Sequence, residues 1–225
     1  MKKILLVAAA AIITSASFSQ VRFGAQVIGN AGTAAIETNE EIENLKKPTQ
    51  IGFGAGVVAD LGISDHFSIR PSLNYLQKKS RVEYQDEDLD GKTFSVNTTL
   101  NYLELPVNFV YKIPMNSATA FVGAGPSIGY GISGKMKAKG WIADEDSDDL
   151  IEVNESTDAF KKESEGGGEL KRIDLSANAI AGIEFKNGLY INAGYLMGLN
   201  SLVKEEKYKT RGLTLTLGFM FPGKG

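Results

Sequence analysis

From Val21 to the C-terminus, apolar side chains recur at every second position, and the positions between them carry glycine, serine, threonine and asparagine. Period-two alternation is the mark of a strand whose two faces meet different surroundings. Eight segments read this way. The first, "VRFGAQVIG", alternates loosely; the second places Ile51, Phe53, Ala55, Val57, Ala59 and Leu61 on one face; the third places Phe67, Ile69, Leu73 and Tyr75 there. Leu103, Leu105, Val107, Phe109 and Tyr111 form the fourth, and Ala120, Val122, Ala124, Ile128 and Tyr130 the fifth. The sixth to eighth are led by Ile173, Leu189 and Leu213.

The opposite faces decide the class. In "IGFGAGVVAD" and "FVGAGPSIGYG" that face is almost bare, with Gly52, Gly54, Gly56, Gly123, Gly125, Gly129 and Gly131 on alternate positions. A solvated sheet face would carry Lys and Glu. Glycine inside a strand weakens it unless something must come close. In an eight-stranded membrane barrel the apolar face meets lipid, and the lumen is only just wide enough for side chains. The glycines then make room for inward Arg, Tyr and Asn. The chain is expected to be all-β, an eight-stranded antiparallel up-and-down transmembrane barrel.

Connection lengths agree. Residues 62–66, 113–118 and 186–188 make short connections, whereas about 31–49, 78–99, 133–170 and 200–209 are long and polar. Outer-membrane barrels alternate short periplasmic turns with long extracellular loops and, with an even strand number, keep both termini on one side. In "FKNGL" the shared parity of Phe185 and Leu189 favours a three-residue loop with left-handed Gly188. Phe67, Tyr111, Phe185, Phe219 and Phe221 cluster at the short-turn end, with Tyr75 and Tyr130 placed for the opposite aromatic girdle.

Upstream, residues 1–19 read as a signal peptide, with Lys2 and Lys3 before an apolar stretch from Ile4 to Ile13 and small residues before Gln20. Residues 20–225 then form one barrel domain, exported by a Sec-type route to the outer membrane of a Gram-negative bacterium. The chain has no cysteine, which excludes disulfides, thiolate metal sites and a lipid anchor on sulfur. A formal charge of -3 gives no reason to expect nucleic acid.

"SIRPSLNYLQKK", "NYLELPVNFVYKI", "FVGAGPSIGYGISGK", "IDLSANAIAGIEF", "LYINAGYLMGLNSL" and "GLTLTLGFMF" resemble, in order, the PorT-type family of small outer-membrane β-barrel proteins found in one group of Gram-negative bacteria. "NYLELP" and "GPSIGYGISGK" are the most specific of these segments. The resemblance spans nearly all of the mature chain and implies an outer-membrane barrel. Its namesake's role implies, as one possible function, an accessory part in type IX-like secretion.

Candidate chemistry is sparse. The single histidine, His66, falls in a short turn beside Asp65, away from the long-loop end, so no catalytic residue is assigned. In "DEDSDDLIEVNE", Asp144, Asp146, Asp148 and Glu155 occupy the first, third, fifth and twelfth places of a calcium loop, but the sixth is Asp149 rather than glycine. A hydrated acidic loop is the plainer reading, and no other cofactor is implied. Inside the barrel, Arg22, Asp60, Arg70, Glu104, Asp174 and Glu184 share the lumen face, and Arg70 with Glu104 on neighbouring strands is the expected ion pair. The function expected is structural or surface-interacting and non-catalytic, with outer-membrane lipid around the wall and a protein partner at the loops. Secretion accessory and small-ligand binder are the alternatives.

Overall fold

The computed structural model describes residues 21–37, 45–85, 93–143, 150–161, 167–203 and 207–222. Among them are ten strands: β1 (Val21–Glu37), β2 (Leu45–Lys46), β3 (Gln50–Gly62), β4 (Phe67–Gln85), β5 (Thr93–Pro114), β6 (Ala118–Ala143), β7 (Leu150–Asp158), β8 (Ile173–Phe185), β9 (Leu189–Gly198) and β10 (Lys207–Met220). Every pairing is antiparallel. The ladder runs from β1 through β3, β4, β5, β6, β8, β9 and β10 and back to β1, so the sheet closes into a ring. β2 and β7 lie outside this circuit, paired with β4 and β6 respectively.

The ring is staggered as a barrel requires. Starting at Leu103 on β5, the row of opposed residues passes Tyr75, Ala55, Val27, Leu217, Ile191, Ile183 and Ala120 and returns to β5 at Ile113, ten residues further along. All the large side chains on this row are exposed. The outside of the barrel is therefore a continuous apolar wall, with Leu213 at 64% and Leu215 at 58% exposure. Such a surface is stable only against lipid or another apolar partner.

Short connections join the strands at one end, where β1 begins and β10 stops. At 63–66 the amides of Ile63 and Ser64 both donate to the Phe67 carbonyl, and the Phe67 amide donates to Ser64 Oγ. The 186–188 loop has the expected form: Gly188 is left-handed at φ 89°, and the Leu189 amide donates to Asn187 Oδ1. Phe67 stacks near Tyr111 at 5.1 Å and Phe219 near Phe221 at 5.8 Å, both pairs on the outer surface at this end.

At the other end the expected boundaries need correcting. Residues 31–37, 78–85, 93–99, 133–143, 150–158 and 207–209 fall within the expected long loops, yet they are strand. Those stretches continue the ladder past the apolar wall, where the outward face is mostly polar. Apolar alternation reports contact with lipid, so it stops where the wall stops although the hydrogen bonding does not.

Candidate functional site in the lumen and at its mouth

The bare faces turn inward, as the alternation requires. Tyr190 packs on Gly218, Phe160 on Gly131, and Tyr102 Cδ1 lies 3.2 Å from where a Cβ on Gly129 would sit. At Gly52 and Gly125 a Cβ would instead strike the carbonyl of Gln77 or Val107 on the neighbouring strand. Those glycines serve the sharp curl of a small barrel as much as the volume of its contents.

Near the short-turn end, five charged side chains meet. Asp60 Oδ2 accepts from Arg70 Nη2 at 2.5 Å and Nε at 3.1 Å, and Asp60 Oδ1 from Lys112 Nζ at 2.8 Å. Arg70 Nη2 also reaches Glu184 Oε2 at 3.3 Å, and Arg22 bridges Glu184 and Asp60. The Arg70 guanidinium lies over the Phe121 ring, 4.6 Å from its centroid. Three cations thus face two carboxylates. Above them a neutral chain crosses the lumen: Tyr190 Oη donates to Gln26 Oε1 at 2.6 Å, Gln26 Nε2 to Asn74 Oδ1 at 2.7 Å, and Asn74 Nδ2 to Ser72 Oγ at 3.1 Å.

A second cluster lies toward the long-hairpin end. Lys78 Nζ sits 2.5 Å from Glu104 Oε1 and 2.9 Å from Asp174 Oδ2, and Thr210 Oγ1 donates to Asp174 at 3.0 Å. One cation here faces two carboxylates, so the two clusters carry opposite imbalances that cancel between them. The expected pairing of Arg70 with Glu104 is not what forms. Arg70 opposes Asn108 in the ladder and Glu104 opposes Asn74, four positions away, or about 13 Å along the strands. Each finds a nearer partner. Lys78 and Lys112, the cations missing from the sequence reading, follow the same inward parity as Arg70 and Glu104 and were legible by counting two at a time along β4 and β5.

The mouth is capped from above. Phe160 meets Tyr102 edge-on at 6.1 Å, and Leu100, Ala159, Leu170 and Leu202 complete a buried cluster. Main-chain bonds fix this cap: the Leu170 amide donates to Ala159 O, Lys171 to Leu202 O, and Gly131 to Arg172 O, each within 2.8 Å. The Arg172 guanidinium covers Phe160 at 4.9 Å and donates to the Gly131 carbonyl at 2.9 Å. Between cap and floor the lumen leaves cavities of about 70 and 40 Å³. That is room for a few waters.

The other sequence candidates lie apart from this lumen. His66 is exposed in its turn, stacked on Tyr111 at 6.1 Å. Glu155 sits on β7 opposite Ala138, and residues 150–155, the second half of the calcium-loop spacing, are extended strand. Asp144, Asp146 and Asp148 lie outside the described residues, as do residues 1–19 of the expected signal peptide.

A closed antiparallel ladder with an apolar exterior and a charged, hydrogen-bonded interior defines a membrane β-barrel. The chain belongs to the family described as outer membrane protein beta-barrel domain, whose model matches residues 14–204. A comparison with curated proteins finds no match. Similar solved structures include OprG from Pseudomonas aeruginosa, at 11% identity and TM-score 0.44, covering 89% of this chain and 94% of that one. Ail, the attachment invasion locus protein of Yersinia pestis, solved with the heparin analogue sucrose octasulfate, has 13% identity and TM-score 0.41 over 89% of this chain and 99% of its own. Neisserial surface protein A has 13% identity and TM-score 0.40 over 88% and 97%.

Proposed function

We propose that this chain is an integral outer-membrane barrel of eight spanning strands, with periplasmic termini and extracellular hairpins, that acts through its surface and not through a pore or a reaction. Export by a Sec-type signal and a partner at the hairpins belong to this reading. The observation that carries it is the contrast between a filled lumen and hairpins that run past the apolar wall. Two ion clusters and an aromatic cap leave cavities too small for a sizeable solute or an apolar ligand. Strands β4 to β7 meanwhile extend a polar sheet outward, which is surface without lipid to cover it.

Two measurements test this. A cysteine introduced at Asn154 on β7 is expected to react with a membrane-impermeant maleimide on intact cells. The purified barrel in planar bilayers is expected to show no steady conductance. Labelling only after the outer membrane is permeabilised would reverse the orientation, and stable channels would refute the closed lumen.

A second reading, an accessory part in type IX-like secretion, draws on the likeness of "NYLELP" and "GPSIGYGISGK" to PorT-type barrels. A deletion strain whose exported protein profile matches its parent's would remove it.

A further inference from the structure

The register of β6 changes once. Tyr102 opposes Gly131, but Asn101 opposes Ser133, so Ile132 is an extra residue, a β-bulge. Below that bulge three successive inward rows cross β5, β6 and β8. The first is Glu104, Gly129 and Asp174, and the second Pro106, Ser127 and Ser176. The same register brings Asn108, Gly125 and Asn178 together in the third. Six of these nine positions bear a side-chain oxygen, and the other three are glycine or proline.

Most of those oxygens have no partner. Among the described residues, none bonds to Asp174 Oδ1, Ser127 Oγ, Ser176 Oγ, Asn108 Oδ1 or Asn178 Oδ1, and all five atoms are sealed from solvent. Asp174, Ser127 and Ser176 are 1%, 4% and 2% exposed, too little to turn toward bulk water. Polar atoms left unmatched in an interior cost stability, so native folds rarely gather several in one place with nothing to serve them.

Charge narrows what serves them. Glu104 and Asp174 share one ammonium, that of Lys78, which leaves one negative charge over on this part of the wall. Arg70, in the other cluster, stands on the Asn108 rung, about 13 Å along the strand from Glu104, and is held by Asp60 and Glu184. Its Nη1 is the one lumen nitrogen without a partner among the described residues, so the wall offers little to an anion. Water alone would satisfy the oxygens and leave the charge. A divalent ion would overshoot it beside Lys78, and the described residues contain no group of three acidic or imidazole side chains to hold one. Hydroxyl, amide, carboxylate and water oxygens are the ligands of a hard cation.

The geometry allows one. Ser127 and Ser176 are directly opposed, which sets their Cβ atoms about 5 Å apart. Glu104 folds over Gly129, its Oε1 3.4 Å from where a Cβ there would sit, and Gly129 opposes Asp174 on its other side. Glu104, Asn108, Ser127 and Asn178 also border the cavity of about 70 Å³, which has room for the waters that would finish an ion's shell.

We infer that this wall binds one monovalent cation of sodium's size, held by Asp174 Oδ1 and the hydroxyls of Ser127 and Ser176 and completed by water in the cavity. The ion neutralises the carboxylate that Lys78 leaves over and helps to close the lumen from within.

The test uses the full mature chain folded in neutral detergent, with sodium chloride exchanged for choline chloride at constant ionic strength. Unfolding in urea is followed by the mobility difference between folded and denatured barrel. Above half-saturation, the folded-to-unfolded ratio is expected to rise about tenfold for each tenfold rise in sodium. The double variant Ser127→Ala, Ser176→Ala should lose that dependence. In choline it should be no less stable than wild type, because an unserved hydroxyl contributes nothing that alanine lacks. Asp174→Asn keeps the shape, removes the excess charge and should be equally indifferent to sodium, so it decides the matter if the double variant does not fold. Equal stability of the wild type in sodium and choline would overturn the inference, leaving water alone at these oxygens. A sodium dependence kept by either variant would overturn the assignment to this wall. A larger rise with calcium than with sodium would overturn the single charge.

Discussion

Replacing Lys78 with methionine tests how the lumen is held closed. Its ammonium lies 2.5 Å from Glu104 and 2.9 Å from Asp174, carboxylates that are 3% and 1% exposed. Among the described residues, Lys78 is the one cation paired with either. Thr210 donates to Asp174 but brings no charge. Methionine keeps the length and apolar stem of the side chain and removes the charge, leaving two buried anions side by side. Removing one partner of a buried pair costs about 3–5 kcal/mol. With a urea dependence of about 2–3 kcal/mol per molar, the unfolding midpoint should fall by roughly 1–2.5 M. The electrophoretic mobility difference between folded and heat-denatured barrel is the suitable assay. Fluorescence is not, because the single tryptophan, Trp141, sits on the hairpin above the wall. Adding Glu104→Gln and Asp174→Asn should recover most of the loss, because a neutral cluster has no charge to leave unpaired. A single variant as stable as wild type, or a triple variant no better than the single, would refute the reasoning.

Three further outcomes are expected. Leu215→Arg, in the middle of the apolar wall, should cost about 2–4 kcal/mol of folding stability in lipid vesicles; a tolerated arginine would mean that this face does not meet lipid. Phe160→Ala should loosen the cap alone, raising tryptic cleavage at Lys161 and Lys171 by about a hundredfold while leaving the barrel's mobility shift intact. Gly218→Val should destabilise by about 1–3 kcal/mol, because its Cβ would enter the Tyr190 ring that Gln26 holds in place; differential unfolding in urea measures this, and truncation of Tyr190 in the same chain should relieve it.

The wall was legible because lipid imposes one rule on every outward position, and Leu213, Leu215 and Leu217 obey it as plainly as Val57 or Phe109. The inward charges were legible by the same parity. Their partners were not, since alternation fixes the face of a residue and says nothing of its height against a neighbouring strand. Arg70 and Glu104 share a face and adjacent strands, yet the register sets them four positions apart. The hairpins were hidden for a different reason: where the outward face no longer meets lipid, "QKKSRVEYQ" and "KMKAKGWIA" read as loop although they pair. Ile132 was the least readable of all. A bulge is one residue of extra length, and nothing in "GYGISGK" distinguishes it from its neighbours until the partner strand is known.

The heights of the two charge clusters bear on how the lumen works as a unit. The short-turn cluster has one cation in excess and the Lys78 cluster one anion, separated by the neutral chain of Tyr190, Gln26, Asn74 and Ser72. Across about 13 Å, and with an effective dielectric of about 20, a residual unit charge at each centre gives an attraction of about 1 kcal/mol. That is far below a contact pair and far above zero. Charge-removing variants of Arg70 and Glu104 should therefore couple by about 1 kcal/mol in a double-mutant cycle. A coupling of several kcal/mol would restore the direct pair; none at all would mean that water in the intervening cavity screens one cluster from the other.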